Sequence, residues 1–258
     1  VQQKKDGIRF PYQVGCGFSA ELLVPYVIWL LQESQRKNIK KLFFIARDGY
    51  ILKKIADLLI AGYHLPIETA YLYGSRRAWR LPSIKPGNFD LPEFFRFNYQ
   101  PEIRSYAQIS ETLELDLEEL KKIFPFAREN GKELSWGLMQ EILSILTEGQ
   151  EETAALIYEK QKEKREAVIG YLRQEIGEKG KDFAFVDLIG SGYTQRCLVA
   201  LMEPFYEEPV KTIFYRLDFC NSGDKNENLA FFPNRIKMGN VIEVLCGAPH
   251  GQRNGYDY

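Results

Sequence analysis

The sequence has few of the residues on which zinc, redox and triad chemistry depend. It holds two histidines, His64 and His250, and four cysteines, none of which forms a C-x-x-C pair. Two histidines this far apart, without partners at metal-ligand spacing, argue against a zinc site and against a Ser-His-Asp triad. Scattered cysteines are typical of reduced thiols, so we expect a cytoplasmic protein.

An excess of charge of one sign is also missing, as is a long apolar run. The 34 Lys and Arg residues nearly balance the 35 Asp and Glu residues, for a formal net charge of −1. We therefore expect neither nucleic acid nor an anionic membrane as a partner. The most apolar run, LLVPYVIWLL at 22–31, has about half the length that crosses a bilayer, which favours a core helix over a membrane span. The chain begins with Val1 rather than Met, and we expect it to be part of a longer polypeptide.

Short apolar runs alternate with helical patterns near both ends of the chain. Such a continuous run is typical of a buried strand in a parallel sheet. We expect a helix capped by Ser19 and ending near Arg36 before the first strand, and one closed by Gly62 after it. The alternation predicts an α/β fold with a Rossmann-like, mostly parallel sheet. The predicted strands are LFFIA (42–46), TAYLY (69–73), FAFVDL (183–188), TIFYRLDF (212–219), AFFP (230–233) and VIEVLC (241–246).

The stretch between the second and third predicted strands carries helical patterns only. Four prolines between positions 82 and 101 break regular structure where it begins. Asp116 and Ser135 are the expected N-caps of helices at 115–124 and 135–146, and a third helix should run from about 151 to 176. The sequence therefore predicts an inserted helical cap at 82–177, between a first part of the α/β core at 1–81 and a second part at 178–258.

Polar and glycine residues follow three of the predicted strands. In open α/β sheets, ligands bind beyond the carboxyl ends of the strands, where loops and helix N-termini meet. We therefore expect the three segments to form one site. They are Arg47-Asp48-Gly49 after the first strand, Gly74-Ser75-Arg76-Arg77 after the second, and Asp187-Leu188-Ile189-Gly190-Ser191-Gly192 after the third.

Two aspartates in these segments are the candidates for chemistry. Asp48 could act as a nucleophile, a general base or a Mg²⁺ ligand, or it could only cap the helix that follows. Gly49 would allow the backbone to turn sharply into that helix. Asp187 occupies the corresponding place after the third strand and is the second candidate ligand for Mg²⁺.

The remaining candidates suit a phosphate group. The guanidinium groups of Arg76 and Arg77 match phosphate geometry, although both could be ordinary surface arginines. The glycine turn at 190–192 leads into a helix whose free N–H groups favour anions, and Ser191 and Thr194 could add hydroxyl donors or only cap that helix.

Aromatic and tail residues could complete the site. Tyr50, Trp79 and Tyr193 adjoin the three segments and could stack on a sugar or a base, with simple packing as the alternative. His250 lies in the glycine-rich tail CGAPHGQRNGYDY (246–258), which could fold over the site.

As a set, R-D-G at 47–49, S-R-R at 75–77 and V-D-L-x-x-S-G-Y-T-Q at 186–195 resemble predicted hydrolases of the haloacid dehalogenase superfamily. The hydrolases in question are encoded with bacterial glycosyltransferases in surface-polysaccharide gene clusters. The similarity covers roughly residues 15–255. It implies a helical cap on a Rossmann-like sheet and a Mg²⁺-dependent phosphotransfer site, with Asp48 in the nucleophile position and Asp187 in the acidic motif that holds the metal.

Two functions follow from this resemblance. The first is Mg²⁺-dependent hydrolysis of a phosphorylated or nucleotide-linked sugar in polysaccharide biosynthesis. The second is a catalytically degenerate module that binds a ligand, or a partner glycosyltransferase, without chemistry. The second stays open because the superfamily motif is D-x-D, with the second aspartate as general acid, and here Tyr50 stands in that place.

Overall fold

The computed structural model describes residues 13–87, 90, 94, 105–123, 144–145, 147–177, 182–206, 212–220, 226–237 and 239–250. Within these ranges five strands form one sheet in the order β2-β1-β3-β4-β5, and every neighbouring pair is parallel. The predicted α/β fold with a Rossmann-like parallel sheet is confirmed. The strands are β1 (Lys41–Ile45), β2 (Glu68–Leu72), β3 (Phe183–Val186), β4 (Thr212–Asp218) and β5 (Asn226–Phe232).

Helices flank and connect the strands. A short π-helical segment, Gly15–Ser19, leads directly into the first α-helix, and a 3₁₀ turn, Glu203–Phe205, follows the eighth. The α-helices in the described residues are α1 (Ala20–Arg36), α2 (Gly49–Tyr63), α3 (Arg76–Trp79), α4 (Tyr106–Leu113), α5 (Leu117–Ile123), α6 (Gln150–Lys160), α7 (Lys162–Ile176), α8 (Tyr193–Met202) and α9 (Gly239–Cys246).

The three central strands of the sheet are buried on both faces, as their apolar sequences predict. Leu42 and Phe44 of β1 belong to the main hydrophobic core, together with side chains from α1 and α2. Phe43 points to the other face, because successive side chains alternate along a strand. There its ring lies 5.6 Å from the ring of Phe185 in β3, and Phe185 stacks on Phe214 of β4. Burial on both sides fixes the positions at which the strands end.

The strand order places a topological switch between β1 and β3. The chain passes from β1 to β2 on one side and later returns to β3 on the other side of β1. Ligands of doubly wound sheets bind at such a switch, because the loops that follow the two strands diverge and leave a crevice. The segments that follow β1 and β3 are those that carry Asp48 and Asp187.

Contacts divide the chain into two units. The first comprises 1–76 and 170–254 and contains the sheet, and the second comprises 77–169 and 255–258. In the second unit, Asp116 caps α5 as predicted. Its Oδ1 accepts a 2.8 Å hydrogen bond from the N–H of Glu119, whose Oε2 accepts one from the N–H of Asp116. This reciprocal pair is a capping box.

Two predicted helices in the insert differ from the structure or lie beyond it. The helix predicted at 135–146, with its cap Ser135, lies almost entirely outside the described residues. The helix predicted from about 151 to 176 is two helices, α6 and α7, which meet at Gln161. Nothing in the contacts around Gln161 explains the break.

Three local predictions are wrong. Ser19 is not an N-cap, because its backbone is already helical and its side chain makes no capping hydrogen bond. Gly62 does not close α2, which ends at His64, a left-handed residue with φ of 51° whose N–H donates to the Ile60 carbonyl. The run 241–246 is part of α9 rather than a strand. A short apolar run has no decisive period, and here Ile242 and Cys246, one helical turn apart, are the buried pair.

One helical stretch in the described part of the chain, Gly15–Arg36, has the length and apolar composition that could cross a membrane. The same stretch supplies Leu23, Tyr26, Val27, Leu30 and Leu31 to the core beside the sheet. Length and composition therefore do not distinguish a core helix from a span, and the absence of a membrane span stays a prediction.

Candidate functional site

Asp48 lies at the carboxyl end of β1, directly before α2. Its backbone is helical, with φ of −67° and ψ of −29°, and its side chain does not cap the helix. No hydrogen bond or ion pair within the described residues involves its half-buried carboxylate. The structure thus excludes the capping role and leaves both oxygens of this carboxylate available to a ligand.

Gly49 lets α2 begin where it does, for a steric reason. A Cβ at this position would lie 2.8 Å from the backbone carbonyl carbon of Phe44 and 3.0 Å from its Cβ. Any larger residue would push the start of α2 away from the end of β1. The prediction was that Gly49 allows a sharp backbone turn, but the structure requires a glycine here for the close approach of α2 to β1, which holds Asp48 at the edge of the sheet.

The surroundings of Asp48 favour its protonated form. The pKa of Asp48 is raised to about 7, chiefly by burial and then by the negative charges of Asp187 and Glu243, while the exposed Arg47 opposes the rise only in part. The influence of Asp187 is expected from the register, because Phe44 of β1 pairs with Val186 of β3 and both chains leave the sheet at the same level. The structure therefore brings the two predicted aspartates to one edge.

Asp187 is held by a set of hydrogen bonds. Its Oδ2 accepts one of 3.0 Å from Nη1 of Arg216 and one of 3.1 Å from Nε2 of Gln195. Its Oδ1 accepts only the N–H of Leu188, at 2.9 Å, and the side chain is 18% exposed. The Asp187 carboxylate is thus oriented by the protein, while part of the side chain stays exposed.

Arg216 is a site residue that the sequence analysis missed. It lies in β4 and is completely buried. Besides Asp187, it binds the carbonyl of Gly190 through Nη2 at 2.8 Å, the carbonyl of Asp218 through Nε at 3.3 Å, and the Asp218 carboxylate at 3.6 Å. Arg216 therefore fixes the whole segment after β3. The signal was present as an Arg and an Asp two residues apart in an otherwise apolar strand, which places both on one face.

The glycine turn positions the start of α8. Gly190 and Gly192 have φ of 123° and 82°, which other residues rarely adopt. The hydroxyl of Ser191 accepts a 3.4 Å hydrogen bond from the N–H of Tyr193, so Ser191 serves as a local cap. In the described residues the backbone N–H groups of Thr194 and Gln195 have no partner. They are available to an anion, and the helix dipole adds to the attraction.

The segment after β2 reaches the same edge of the sheet. β1 and β2 pair with Ile45 opposite Leu72, so the segments that carry Asp48 and Ser75 leave the sheet at the same level. Ser75 is buried, whereas Arg76 and Arg77 are exposed at the start of α3. Arg77 belongs to the second unit, so only Ser75 and Arg76 are assigned to the site in the first. Their contact with phosphate stays a prediction.

Only one of the three predicted stacking residues is open to a ligand. Trp79 is completely buried and Tyr193 is almost completely buried. Both side chains therefore pack inside the protein, which was the alternative to stacking on a ligand. Tyr50 is half-buried, and its ring contacts that of Tyr71 at 6.0 Å. His250, which lies in the tail, forms a 2.8 Å hydrogen bond with the Tyr71 hydroxyl. The tail beyond residue 250 lies outside the described part of the chain.

The donor set suits Mg²⁺ only with help from a ligand. No group of three His, Cys, Asp or Glu side chains that could hold a metal occurs among the residues described. Burial raises the pKa of the nearby Cys246 thiol to about 12, so it stays protonated. Both oxygens of Asp48 lack a hydrogen-bond donor among the described residues, and Oδ1 of Asp187 accepts one hydrogen bond, which leaves it a second lone pair. Mg²⁺ commonly binds one or two carboxylates and completes its shell with phosphate oxygens and water, so these residues fit that mode.

A comparison of the chain with protein-family models finds no match, and a comparison with curated proteins finds none either. The resemblance to the haloacid dehalogenase superfamily therefore stays a prediction from the three motifs.

Proposed function

We propose that the chain is a Mg²⁺-dependent phosphoester hydrolase that acts on a phosphorylated or nucleotide-linked sugar. The observation that carries the proposal is the unpaired, half-buried carboxylate of Asp48 at the β1–β3 switch, beside a second carboxylate. Two neighbouring carboxylates repel each other when both are ionised, and a bound cation removes this repulsion. A raised pKa is also common where a carboxyl group takes part in catalysis. The resemblance adds surface-polysaccharide biosynthesis, and a glycosyltransferase as a domain or partner.

Each group has a distinct task in this proposal. Asp48 and Oδ1 of Asp187 would hold Mg²⁺, which would supply neutralisation of the phosphate charge. A free oxygen of Asp48 would attack phosphorus and displace the sugar oxygen, which would take a proton from solvent and leave as the alcohol; water would then hydrolyse the aspartyl phosphate, releasing inorganic phosphate and restoring the Asp48 carboxylate. The N–H groups of Thr194 and Gln195 would donate to phosphate oxygens. Arg216 would keep Asp187 and the glycine turn in place.

A specific observation favours the second function, ligand binding without chemistry. A hydrolase needs an acid that protonates the departing sugar oxygen, and Tyr50 stands where the superfamily motif has that acid. No described residue forms a hydrogen bond with Asp48 that would move a proton. The same site would then hold a phosphate-bearing ligand and leave its ester bond intact.

One experiment separates the two functions. Purified protein is incubated with a panel of sugar phosphates and Mg²⁺, released phosphate is measured, and the melting temperature is recorded with each ligand. The variant is Asp48→Asn, and the control is Asp182→Asn, since Asp182 is exposed at the opposite end of β3. The hydrolase predicts phosphate release that Asp48→Asn abolishes and Asp182→Asn retains.

The other outcomes are equally clear. Ligand-induced stabilisation without phosphate release, lost in Asp48→Asn alone, supports the binding module. Release that survives Asp48→Asn removes this residue from the mechanism and contradicts the hydrolase. A panel that neither reacts nor stabilises contradicts both functions.

A further inference from the structure

Four aromatic rings from three separate segments meet beside Asp48. Tyr50 comes from the first turn of α2, Tyr71 and Tyr73 from the end of β2, and His250 from the tail that follows α9. The ring of Tyr71 lies 6.0 Å from Tyr50, 5.0 Å from Tyr73 and 5.7 Å from His250, and Tyr73 lies 5.6 Å from His250. We call these four residues the aromatic cluster.

The cluster borders the phosphate site on the side of β2. Tyr50 follows Asp48 by two residues, and Tyr71 pairs with Phe44 of β1 in the sheet. Burial raises the pKa of Tyr71 above its ordinary value, and the charge of Asp48 is among the groups that raise it further. These rings are therefore within reach of the next group of a ligand whose phosphate lies at Asp48.

The rings of the aromatic cluster cross one another rather than stack in parallel. The interplanar angles within the cluster are 78°, 85°, 70° and 50°, so no two of its rings form a parallel stack. Tyr73 is 38% exposed, although it lies at the end of a core strand. The hydrogen bond between the Tyr71 hydroxyl and His250 Nε2 ties the tail to the strand and orients both rings.

We propose that the aromatic cluster binds the nucleobase of a nucleotide-linked ligand whose phosphates lie at Asp48 and the start of α8. The proposed ligand is therefore a derivative of a nucleoside diphosphate rather than a simple sugar phosphate. Stacking on aromatic side chains suits any base, because every base has a π-face. The location of the phosphates rests on the proposed function, whereas the stacking surface stands on the ring geometry.

The test compares ligands that differ only in the base. Binding of ADP, CDP, GDP, UDP and inorganic pyrophosphate, each with Mg²⁺, is measured by calorimetry. We expect at least one nucleoside diphosphate to bind about tenfold more tightly than pyrophosphate. Tyr73→Ala should remove this gain and leave pyrophosphate affinity unchanged, while Tyr73→Phe keeps it. Tyr63→Ala is the matched control, since Tyr63 is 73% exposed at the far end of α2.

Each result bears on a separate part of the account. Equal affinity for nucleotides and pyrophosphate, or a gain that survives both Tyr73→Ala and His250→Ala, overturns the nucleobase site while leaving the phosphate site intact. A gain that depends on Tyr73 but not on Asp48 supports the aromatic cluster and overturns the proposed phosphate site. No binding of any of the five ligands overturns both.

Discussion

Nη1 of Arg216 lies 3.0 Å from Oδ2 of Asp187, and the arginine is completely buried while the aspartate reaches the surface. A buried guanidinium is stable only when its hydrogen bonds are made, and Arg216 uses its own to hold the segment after β3. The pair also balances one of the two carboxylates at the edge of the sheet. Asp48 has no ion-pair partner among the described residues, and Arg47 offsets its charge only in part.

Replacement of Arg216 by methionine should strongly destabilise the protein. The variant keeps a similar volume but leaves Asp187 and Asp218 without their cation. Removal of one partner of a buried ion pair typically costs about 3–5 kcal/mol. Urea unfolding measures the loss. Arg36→Met, which breaks an exposed pair with Glu33, is the control and should change the unfolding free energy little. Equal effects of the two variants would contradict the structural role of Arg216.

Replacement of Asp48 by asparagine should stabilise the protein at neutral and higher pH. The folded pKa of Asp48, about 7, lies above its ordinary value of 3.8. The folded state therefore binds a proton that the unfolded state has lost, and this contribution disappears as the pH rises from about 4 to about 7. The shift corresponds to about 4 kcal/mol, and solvent screening reduces it to about 2 kcal/mol.

The check is a pair of denaturation series between pH 4 and pH 8. Asp48→Asn should match wild type near pH 4 and exceed it increasingly towards pH 8, whereas Asp182→Asn should track wild type throughout. A constant difference across the range would mean that Asp48 titrates as an ordinary surface carboxyl group.

Two glycines in α2 should respond in opposite directions to alanine. At Gly49 a Cβ would lie 2.8 Å from backbone of Phe44, whereas at Gly62 nothing lies within 4 Å. Gly62→Ala should stabilise by about 0.5–1 kcal/mol through helix propensity, and Gly49→Ala should destabilise by about 1–3 kcal/mol through overpacking. Thermal unfolding measures both. A stabilising Gly49→Ala would show that the start of α2 can move away from β1 without cost.

Strand positions near the site could be predicted because each strand is a continuous apolar run that ends at polar residues. The ends after Ile45, Leu72 and Val186 lie within two residues of their predicted places. Asp48 and Asp187 meet because these strands are neighbours, which the parallel fold class made plausible. The same reasoning could not predict that 241–246 is helical, because five apolar residues in six fit either a helical or a strand period.

The partner of Asp187 could not be predicted, although Arg216 stands out in its strand. Which carboxylate it meets depends on the order of β3 and β4 in the sheet, and strand order is a property of the whole fold. The nearness of Tyr71 and His250 has the same origin, since 179 positions separate them in the chain. Long-range contacts of this kind leave no local pattern in the sequence.

The most direct test of the site is an NMR titration of the Asp48 carboxyl carbon, assigned by comparison with Asp48→Asn. We predict a pKa of about 7 in the free protein. Mg²⁺ with pyrophosphate should lower it clearly, because a bound cation favours the ionised carboxylate. A midpoint near 3.8 that does not move when Mg²⁺ and pyrophosphate are added would contradict the account, since Asp48 would then be an ordinary solvated carboxylate with no ligand of its own.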